Sequence, residues 1–283
     1  MIIPEKINIG DKIGILSTAR KISFAELNPA IQILESWGLK VVFGKFLFEE
    51  DNQFSGTVAQ RTLDLQNMID NKEIKAILCA RGGYGTVQII DKIDFSSLNT
   101  SPKWIIGYSD ITVLHSHLNQ LGFATLHATM PINFSHNTQK SLDSFKNTLF
   151  GTYNCIQIPY HNFNRIGTVE AEIVGGNLSI LYSLLGSSSD LNTDHKILFL
   201  EDLDEYLYHI DRMIINMKRN EKFRKLKGMI IGEMANMNDN DIPFGKTAEE
   251  IILEHVKEYD FPICFNFPSG HIDDNRGIRF GVS

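Results

Sequence analysis

Residues 103–117 read KWIIGYSDITVLHSH, an order of residue types that predicts a strand followed at once by a helix. The apolar run from Trp104 to Ile106 is typical of a short buried strand, and Gly107 and Ser109 precede the helical part. A sharp strand-to-helix turn lifts the Ser109 hydroxyl clear of the sheet and points the first N–H groups of the helix towards it. Such a turn suits the nucleophile of an acyl-transfer enzyme, since helix N–H groups stabilise an oxyanion.

The same stretch also fits an ordinary turn between a strand and a helix. Ile111 stands where the Gly-x-Ser-x-Gly motif has its second glycine, so the familiar nucleophile motif is incomplete. In this interpretation Ser109 or Asp110 caps the helix, as serine and aspartate often do. The stretch by itself leaves both interpretations open.

Strands and helices alternate around this stretch through the first half of the chain. The predicted elements are, in order, a strand at 12–16, a helix at 24–38, a strand at 40–43, a helix at 57–71 and strands at 74–79 and 104–106. This alternation predicts a parallel sheet with helices on both faces. Functional sites in such sheets form at the C-terminal ends of the strands.

The pattern changes after about residue 135. Residues 135–163 are polar and irregular, with weak helical stretches, and we interpret them as the connection between two domains, 1–150 and 151–283. The second domain is richer in strand signals. Its predicted elements are strands at 167–174, 196–200, 229–232 and 262–265, and helices at 177–185 and 205–220.

Composition narrows the classes of function. Of the 283 residues, 43% are hydrophobic and 22% charged, which is ordinary for a globular protein. The net charge of −7 argues against a general nucleic-acid or membrane-surface role. A basic cluster within 218–227 follows an amphipathic helix and is interpreted as a solvated helix end. The start of the chain has no signal-peptide pattern, and no run reaches the length of a membrane span, so we expect a cytoplasmic protein.

The three cysteines give no sign of a metal site or a disulfide framework. Cys79, Cys155 and Cys264 are far apart in the sequence, and their number is odd. Cys79 ends a predicted buried strand, where free cysteines are usually inert.

A glycine-rich turn follows the strand that ends at Cys79. Residues 81–85 read RGGYG, and paired glycines allow backbone to approach a ligand closely. The turn matches neither a dinucleotide-binding motif nor a P-loop, and a simple tight turn remains the alternative.

Two further sites for chemistry lie in the second half. Glu201 follows a predicted strand, and Asp202, Asp204 and Glu205 come directly after it. This acidic cluster suits metal binding or plain solvation, and a carboxylate at a strand end can also orient an imidazole. His271 lies in a glycine-flanked loop that is free to enter a cleft. The order Ser109, Glu201, His271 is the nucleophile–acid–base order of one group of serine hydrolases.

At this point the chain resembles a known family, the L,D-carboxypeptidases of serine-peptidase group S66, which includes the microcin C immunity peptidases. The matching segments run in order through nearly the whole chain. They are RGGYG at 81–85, GYSDIT at 107–112, GGNLS at 175–179, LED at 200–202 with Glu205, Tyr208 and IDRM at 210–213, and Gly270-His271. One departure is HATM at 127–130, where the family often has His-Gly-Pro-Met.

The resemblance implies an α/β fold with an N-terminal Rossmann-like parallel-sheet domain and a C-terminal swivelling β-barrel-type α/β domain. It also implies a serine peptidase with no cofactor and no metal, and a homodimer. The implied triad has Ser109 as nucleophile, His271 as base and acid, and Glu201 as its orienter. The implied oxyanion donors are backbone N–H groups of Asp110 and of the Gly82-Gly83 turn. Arg81 and Tyr84 of the same turn are assigned to substrate binding, Arg81 to the substrate carboxylate.

The expected reaction is release of the terminal D-alanine from a murein tetrapeptide through an acyl-enzyme. One alternative keeps the triad but cleaves aminoacyl or peptidyl nucleotide amides; an aromatic residue that stacks on a base would favour it. The available aromatics are Tyr160, Phe163, Tyr206 and Tyr208. A second alternative is a two-domain protein that binds a small ligand without chemistry. A third is a metal hydrolase built on Glu201, Asp202, Glu233 and His271.

Overall fold

The first half of the chain forms a parallel sheet covered by helices. The structure is a computed structural model that describes residues 1–152 and 155–283. The elements of this half are β1 (Lys12–Leu16), α1 (Phe24–Ser36), β2 (Lys40–Phe43), α2 (Val58–Asp70), β3 (Ile74–Cys79), β4 (Trp104–Gly107), α3 (Thr112–Gln120), β5 (Thr125–His127) and α4 (Gln139–Leu149). Capping boxes begin two of these helices: Ser23 with Glu26 at α1, and Thr57 with Gln60 at α2.

The second half forms a smaller parallel sheet. Its elements are β6 (Ile173–Asn177), α5 (Leu178–Leu184), β7 (Ile197–Leu203), α6 (Leu207–Arg219), β8 (Gly228–Ala235), α7 (Ala248–Val256), β9 (Ile263–Cys264) and β10 (Ile278–Phe280). Four of these strands pair in the order β6-β7-β8-β9, and every pair is parallel. The predicted α/β fold with a parallel sheet in the first half is therefore confirmed, and the second half, for which the resemblance implied a swivelling β-barrel-type α/β domain, is α/β and built on a second parallel sheet.

The last strand returns to the first sheet. The order there is β10-β5-β4-β3-β1-β2, with β10 antiparallel to β5 and the other pairs parallel. The segment that follows β10 also bonds to the second sheet, because Gly281 N–H donates to the Ile173 carbonyl and Ile173 N–H to that of Val282. The C-terminal segment thus joins the two sheets through backbone hydrogen bonds.

Alternating side chains of the central strands fill two cores. In β3, Ala76 and Leu78 pack into the core on one face of the first sheet, and Ile77 and Cys79 into the core on the other. A separate core lies between the second sheet and its helices. Burial on both faces explains why these strands read as nearly continuous apolar runs.

Three predicted features differ from the structure. The strand predicted at 167–174 begins only at Ile173, which is the first residue of this segment that is in register with β7. The strand predicted to end before Glu201 continues to Leu203. Part of the predicted connection at 135–163 is helix α4. Its Leu142, Phe145 and Leu149 belong to the same core as Ala76 and Leu78 of β3.

Two histidines are fully buried where the sheets meet. His115 bonds the Gly107 carbonyl at 2.9 Å through Nε2, and its ring packs against Phe280. His127 lies among aromatic rings, and neither of its ring nitrogens is hydrogen-bonded to a described residue. Burial lowers the pKa of His115 to about 4 and that of His127 well below its ordinary value. Both are therefore neutral in the folded protein near neutral pH.

We expect His115 to make the protein less stable in acid. Unfolded histidine takes up a proton below about pH 6.5, whereas folded His115 resists it, so this part of the stability is present above that pH and is lost as the pH falls. His115→Gln keeps a donor for Gly107 but does not titrate. The loss in free energy of unfolding that this substitution causes, relative to the wild type, should therefore be on the order of 1–2 kcal/mol smaller at pH 5 than at pH 7.5. Urea unfolding of both proteins at both pH values measures this, and an equal penalty would contradict it.

Candidate active site

Ser109 lies in a strained turn at the C-terminal end of β4. Its φ is 62°, in the left-handed region that serine rarely adopts. A 3-10 turn over Ser109–Ile111 follows, and α3 begins at Thr112. No side chain of the described residues hydrogen-bonds to the Ser109 hydroxyl. The N-cap residue of α3 is Ile111 and no side chain caps this helix, so Ser109 is not a helix cap, and its backbone has the conformation typical of a nucleophile turn.

The carboxylate of Asp110 is turned away from the helix and fixes the glycine-rich turn. It accepts hydrogen bonds from the backbone N–H of Thr86 at 2.9 Å and from its hydroxyl at 2.7 Å. The Thr86 hydroxyl also lies 2.7 Å from that of Thr18, at the end of β1. All three side chains are buried, and burial raises the pKa of Asp110. Turns that follow three neighbouring strands are thereby held together.

Gly82 lies directly against Ser109. A Cβ atom placed on Gly82 would be 3.2 Å from Ser109 Cβ and 3.3 Å from its Oγ. Gly83 has a φ of 111°, which a residue with a side chain adopts only under strain. The predicted neighbourhood of the Gly82-Gly83 turn and Ser109 is therefore present in the structure.

The two other predicted residues of this turn differ in their surroundings. One Arg81 guanidinium nitrogen, Nη1, donates to the Lys21 carbonyl at 3.1 Å and lies 3.8 Å from the Glu26 carboxylate. Tyr84 is exposed, and its ring lies 6.2 Å from that of Phe54. Arg81 is thus engaged with the α1 side of the turn, whereas Tyr84 faces solvent.

Glu201 and His271 form a buried hydrogen-bonded pair. The Nδ1 atom of His271 lies 2.7 Å from Oε2 of Glu201, whose side chain is fully buried. Gly270 has a φ of 119°, and a Cβ there would stand 2.9 Å from Oε2 of Glu201, so only glycine allows this close approach. Burial alone lowers the pKa of His271, but the charge and hydrogen bond of Glu201, with Asp202, outweigh it and raise that pKa.

Tyr108 brings this pair next to the nucleophile turn. Its ring centroid lies 4.9 Å from that of His271, and Tyr108 directly precedes Ser109. Since Nδ1 of His271 is engaged by Glu201, Nε2 is the nitrogen left for a proton transfer. The fold therefore gathers the predicted Ser109, Glu201 and His271 at one place, with the Ser109 hydroxyl not yet bonded to the imidazole. Hydrogen bonds of this kind are often long before substrate binds.

Asp202 connects the two halves of the site. Its buried carboxylate accepts from Asn177 Nδ2 and from the N–H groups of Ser179 and Leu203, each at 2.8 Å. Burial, then the charge of Glu201, raises its pKa to about 7. The backbone N–H of Asn177 in turn donates to the Thr112 hydroxyl at 3.0 Å. The helix after Ser109 is thereby tied to the strand that carries Glu201.

We expect Thr112→Val to destabilise the protein. Valine has nearly the same shape as threonine but cannot accept the hydrogen bond from Asn177, and an unsatisfied buried N–H costs about 1–3 kcal/mol. Thr112→Ser keeps the hydroxyl and serves as the matched control. Urea unfolding measures both variants; equal stability of the two would show that this hydrogen bond contributes little.

The acidic cluster at the end of β7 and just after it divides into separate pairs. Glu205 pairs with His209 at 2.6 Å, and Asp204 accepts from Asn238 at 2.9 Å. Across residues 1–152 and 155–283, no group of three or more His, Cys, Asp or Glu side chains is arranged to hold a metal ion. Glu201 and Asp202 are buried and hydrogen-bonded to protein groups, so the interpretation of this cluster as simply solvated is wrong for these two.

Cys79 and the basic cluster are structural. Burial raises the pKa of the Cys79 thiol to about 12, which keeps it protonated and unreactive. Most of the basic side chains form ion pairs: Lys218 with Glu258, Lys222 with Asp190, Arg224 with Glu221 and Lys225 with Asp194. No helix in the described part of the chain has the length and apolar character needed to cross a membrane.

The sequence analysis missed Arg61, which stabilises the turns that follow β1 and β3. Its buried guanidinium donates to the carbonyls of Thr18 and Gly85 and to the side chain of Gln88. The position of Arg61 in the predicted helix was the available signal. It lies four residues before Leu65, on the face that α2 buries, and a charged residue on a buried face needs partners. Asn177 lies in the GGNLS segment that matches the family, but its contacts, like those of Thr86, join distant segments and have no sequence signal of their own.

Comparison with known proteins identifies the family of this chain. The family model of the LD-carboxypeptidase N-terminal domain matches residues 13–128, and that of the C-terminal domain matches residues 170–283. A probable murein peptide carboxypeptidase of Bacillus subtilis is 33% identical, over 99% of this chain and 89% of that protein. The murein tetrapeptide carboxypeptidase of Pseudomonas aeruginosa is 27% identical, over 96% of this chain and 92% of that protein.

A solved structure has the same fold. The structure of MccF in complex with glutamyl sulfamoyl guanosine superposes with a TM-score of 0.87, covering 99% of this chain and 93% of that one, at 22% sequence identity. With two family models matched in order along the sequence, this chain belongs to the LD-carboxypeptidase family, serine-peptidase group S66, and is a hydrolase.

Proposed function

We propose that this hydrolase is a serine L,D-carboxypeptidase that releases the terminal D-alanine of a murein tetrapeptide. The observation that carries the proposal is the buried Glu201–His271 pair, which lies beside the left-handed turn at Ser109. A hydroxyl, an imidazole and a buried carboxylate in this arrangement are the parts of a nucleophilic triad. The names of the relatives in Bacillus subtilis and Pseudomonas aeruginosa support the choice of substrate.

The proposed reaction has two steps. Nε2 of His271 takes the proton of Ser109 as its oxygen attacks the carbonyl that precedes D-alanine. The C–N bond then breaks, His271 gives the proton to the leaving amine, and D-alanine departs from an acyl-enzyme. Water, deprotonated by His271, releases the shortened peptide and restores Ser109. Glu201 holds the imidazole in the required tautomer and stabilises its protonated form.

Backbone N–H groups are proposed to bind the oxyanion. The N–H of Asp110 follows the nucleophile directly, and its side chain is anchored to Thr86, which fixes the turn. The second donor comes from the Gly82-Gly83 turn, since Gly82 lies against Ser109. Donors held rigidly before the reaction stabilise the developing charge at no cost of reorganisation. Tyr84, exposed on the same turn, is proposed to contact the substrate.

Further properties of the chain are proposed with this function. We propose division into domains at 1–150 and 151–283, with the nucleophile on the first and Glu201 and His271 on the second. A cytoplasmic location and a homodimer fit an enzyme that acts on recycled murein peptides. No cofactor takes part in the proposed steps.

The direct test measures D-alanine release from a purified murein tetrapeptide. We expect release from the peptide that ends in D-alanine and none from the matched peptide that ends in L-alanine, because the site must align one configuration with Ser109. The assay is run with and without a chelator, so that a metal hydrolase would be recognised by its loss of activity. Absence of D-alanine release would refute the proposed substrate.

A second candidate substrate is an aminoacyl or peptidyl nucleotide amide. Tyr206 and Tyr208 favour it, because both are exposed after β7 and their rings lie 5.6 Å apart. Phe163 instead packs against the core of the second sheet, and Tyr160 is exposed on a separate segment. Exposed aromatic rings such as those of Tyr206 and Tyr208 can stack on nucleic-acid bases. Hydrolysis of glutamyl sulfamoyl adenosine, compared with D-alanine release in kcat/KM, decides between the two substrates.

A further inference from the structure

The substrate proposed above carries a negative charge close to the bond that is cut. The leaving D-alanine is the last residue, so its carboxylate lies roughly one residue length, about 3.5 Å, beyond the scissile carbonyl. A group that recognises this carboxylate must therefore lie beside Ser109 and have hydrogen-bond donors to spare. Arginine suits the task, because its planar guanidinium binds carboxylates through two parallel hydrogen bonds.

Most basic side chains around the site are already engaged. Arg61 is buried and donates to backbone carbonyls, and Arg276 forms a two-point ion pair with Asp274. Lys21 pairs with Glu50 at 2.5 Å. Arg81 bonds to the Lys21 carbonyl and lies near Glu26. Each would have to break existing contacts to receive a substrate carboxylate.

Arg20 is different, because the residue is exposed and its guanidinium has no partner among the described residues. Nothing in residues 1–152 and 155–283 lies within hydrogen-bond or ion-pair distance of this group, although the side chain packs on the glycine-rich turn. A Cβ placed on Gly83 would meet Cδ of Arg20 at 2.6 Å and Nε at 2.8 Å. Because Gly83 adjoins Gly82, which lies against Ser109, this guanidinium borders the proposed oxyanion turn.

The backbone of Arg20 is held in place. The Ser17 hydroxyl donates to its carbonyl at 2.6 Å, and its own N–H points to the Gly82 carbonyl at 3.5 Å. A bridge to Phe54 pairs it from the other side. Only the rotamers of the side chain remain to be ordered by a ligand, which limits the entropic cost of binding.

From these contacts we infer that Arg20 binds the C-terminal carboxylate of the substrate and makes the enzyme select a free terminus. This inference rests on the proposed function, since it concerns the leaving residue of that reaction. The sequence predicts Arg81 for the same task, and the two assignments have different consequences. Substitution of the residue that binds the carboxylate should remove the preference for a free acid over a neutral amide.

The test compares two substrates in four enzymes. The substrates are the tetrapeptide ending in D-alanine and the same peptide ending in D-alaninamide. The enzymes are the wild type, Arg20→Gln, Arg81→Gln and, as an exposed neighbouring control, Lys21→Gln. We expect Arg20→Gln to lower kcat/KM for the acid on the order of 10–100-fold, mainly through KM, and to leave the amide within about twofold. Arg20→Lys keeps the charge and should recover part of the loss.

Each outcome decides between the assignments. An unchanged acid-to-amide ratio in Arg20→Gln, or loss of the ratio in Arg81→Gln, would overturn the inference while leaving the proposed reaction intact. A wild-type enzyme that releases neither D-alanine from the acid nor D-alaninamide from the amide would refute the proposed function and this role with it. Because Arg20 is exposed, thermal unfolding of its variants should match that of the wild type, which separates recognition from folding.

Discussion

Ser109→Ala should abolish D-alanine release, with a loss in kcat of at least about 10⁴-fold. Removing the hydroxyl removes the atom that forms the acyl-enzyme, and the remaining groups can only assist direct attack by water. The measurement is D-alanine formation from the tetrapeptide with purified protein. Ser183→Ala removes an exposed hydroxyl from α5 and serves as the control, with an expected rate equal to that of the wild type. D-alanine release by Ser109→Ala at the parent rate would exclude Ser109 as nucleophile.

A second substitution at this position separates chemistry from folding. Ser109 has a φ of 62°, a conformation that glycine adopts without strain and alanine does not. Ser109→Gly should therefore be as inactive as Ser109→Ala but more stable, by about 1 kcal/mol in the free energy of unfolding. Equal stability of the two variants would argue that the turn relaxes when the hydroxyl is removed.

Glu201→Gln should lower kcat by about 10³–10⁴-fold while leaving the fold intact. Glutamine has the shape of glutamate but no charge, so it no longer fixes the tautomer of His271 or stabilises its protonated form. Glu172→Gln, which changes a carboxylate outside the site, is the control and should keep full activity. A Glu201→Gln enzyme with nearly full activity would mean that the buried pair is structural.

The pH profile gives an independent reading of the same pair. His271 must be neutral to accept the serine proton, so activity falls as the pH drops below its pKa. Glu201 raises that pKa against the effect of burial. In Glu201→Gln the effect of burial dominates, and the acid limb of kcat/KM should move to lower pH. A shift in the opposite direction, or none, would contradict the assignment of His271 as base.

Much of the architecture could be predicted from local patterns. Apolar runs such as 74–79 identify buried parallel strands, and Ser23 and Thr57 begin helices through capping boxes. Helices α4 and α7 and strands β5 and β10 were not predicted, and the two strands were missed for a physical reason. The short strands β5 and β10 contribute three residues each, and β10 is stabilised by pairing with β5, distant in the sequence, rather than by a pattern of its own.

The candidate site could likewise be predicted only in part from the sequence. The chain order of Ser109, Glu201 and His271, together with the motifs around them, is visible in the sequence. The buried contacts that assemble them are not, because the bond from Asn177 to Thr112 and that from Thr86 to Asp110 join segments far apart in the chain.

The sequence by itself determined the two α/β units, the turn that carries Ser109 and the membership of a peptidase family, since each depends on residues close together or on motifs in order. Only the tertiary structure decided which charged groups are free to act. In the sequence, Arg20 and Arg81 are equally suitable for binding a carboxylate. In the structure, the Arg81 guanidinium contacts α1 and the loop before it, whereas the Arg20 side chain lies beside the glycine-rich turn without a partner among the described residues. The reason is that availability depends on the neighbours that the fold supplies, and these come from distant parts of the chain.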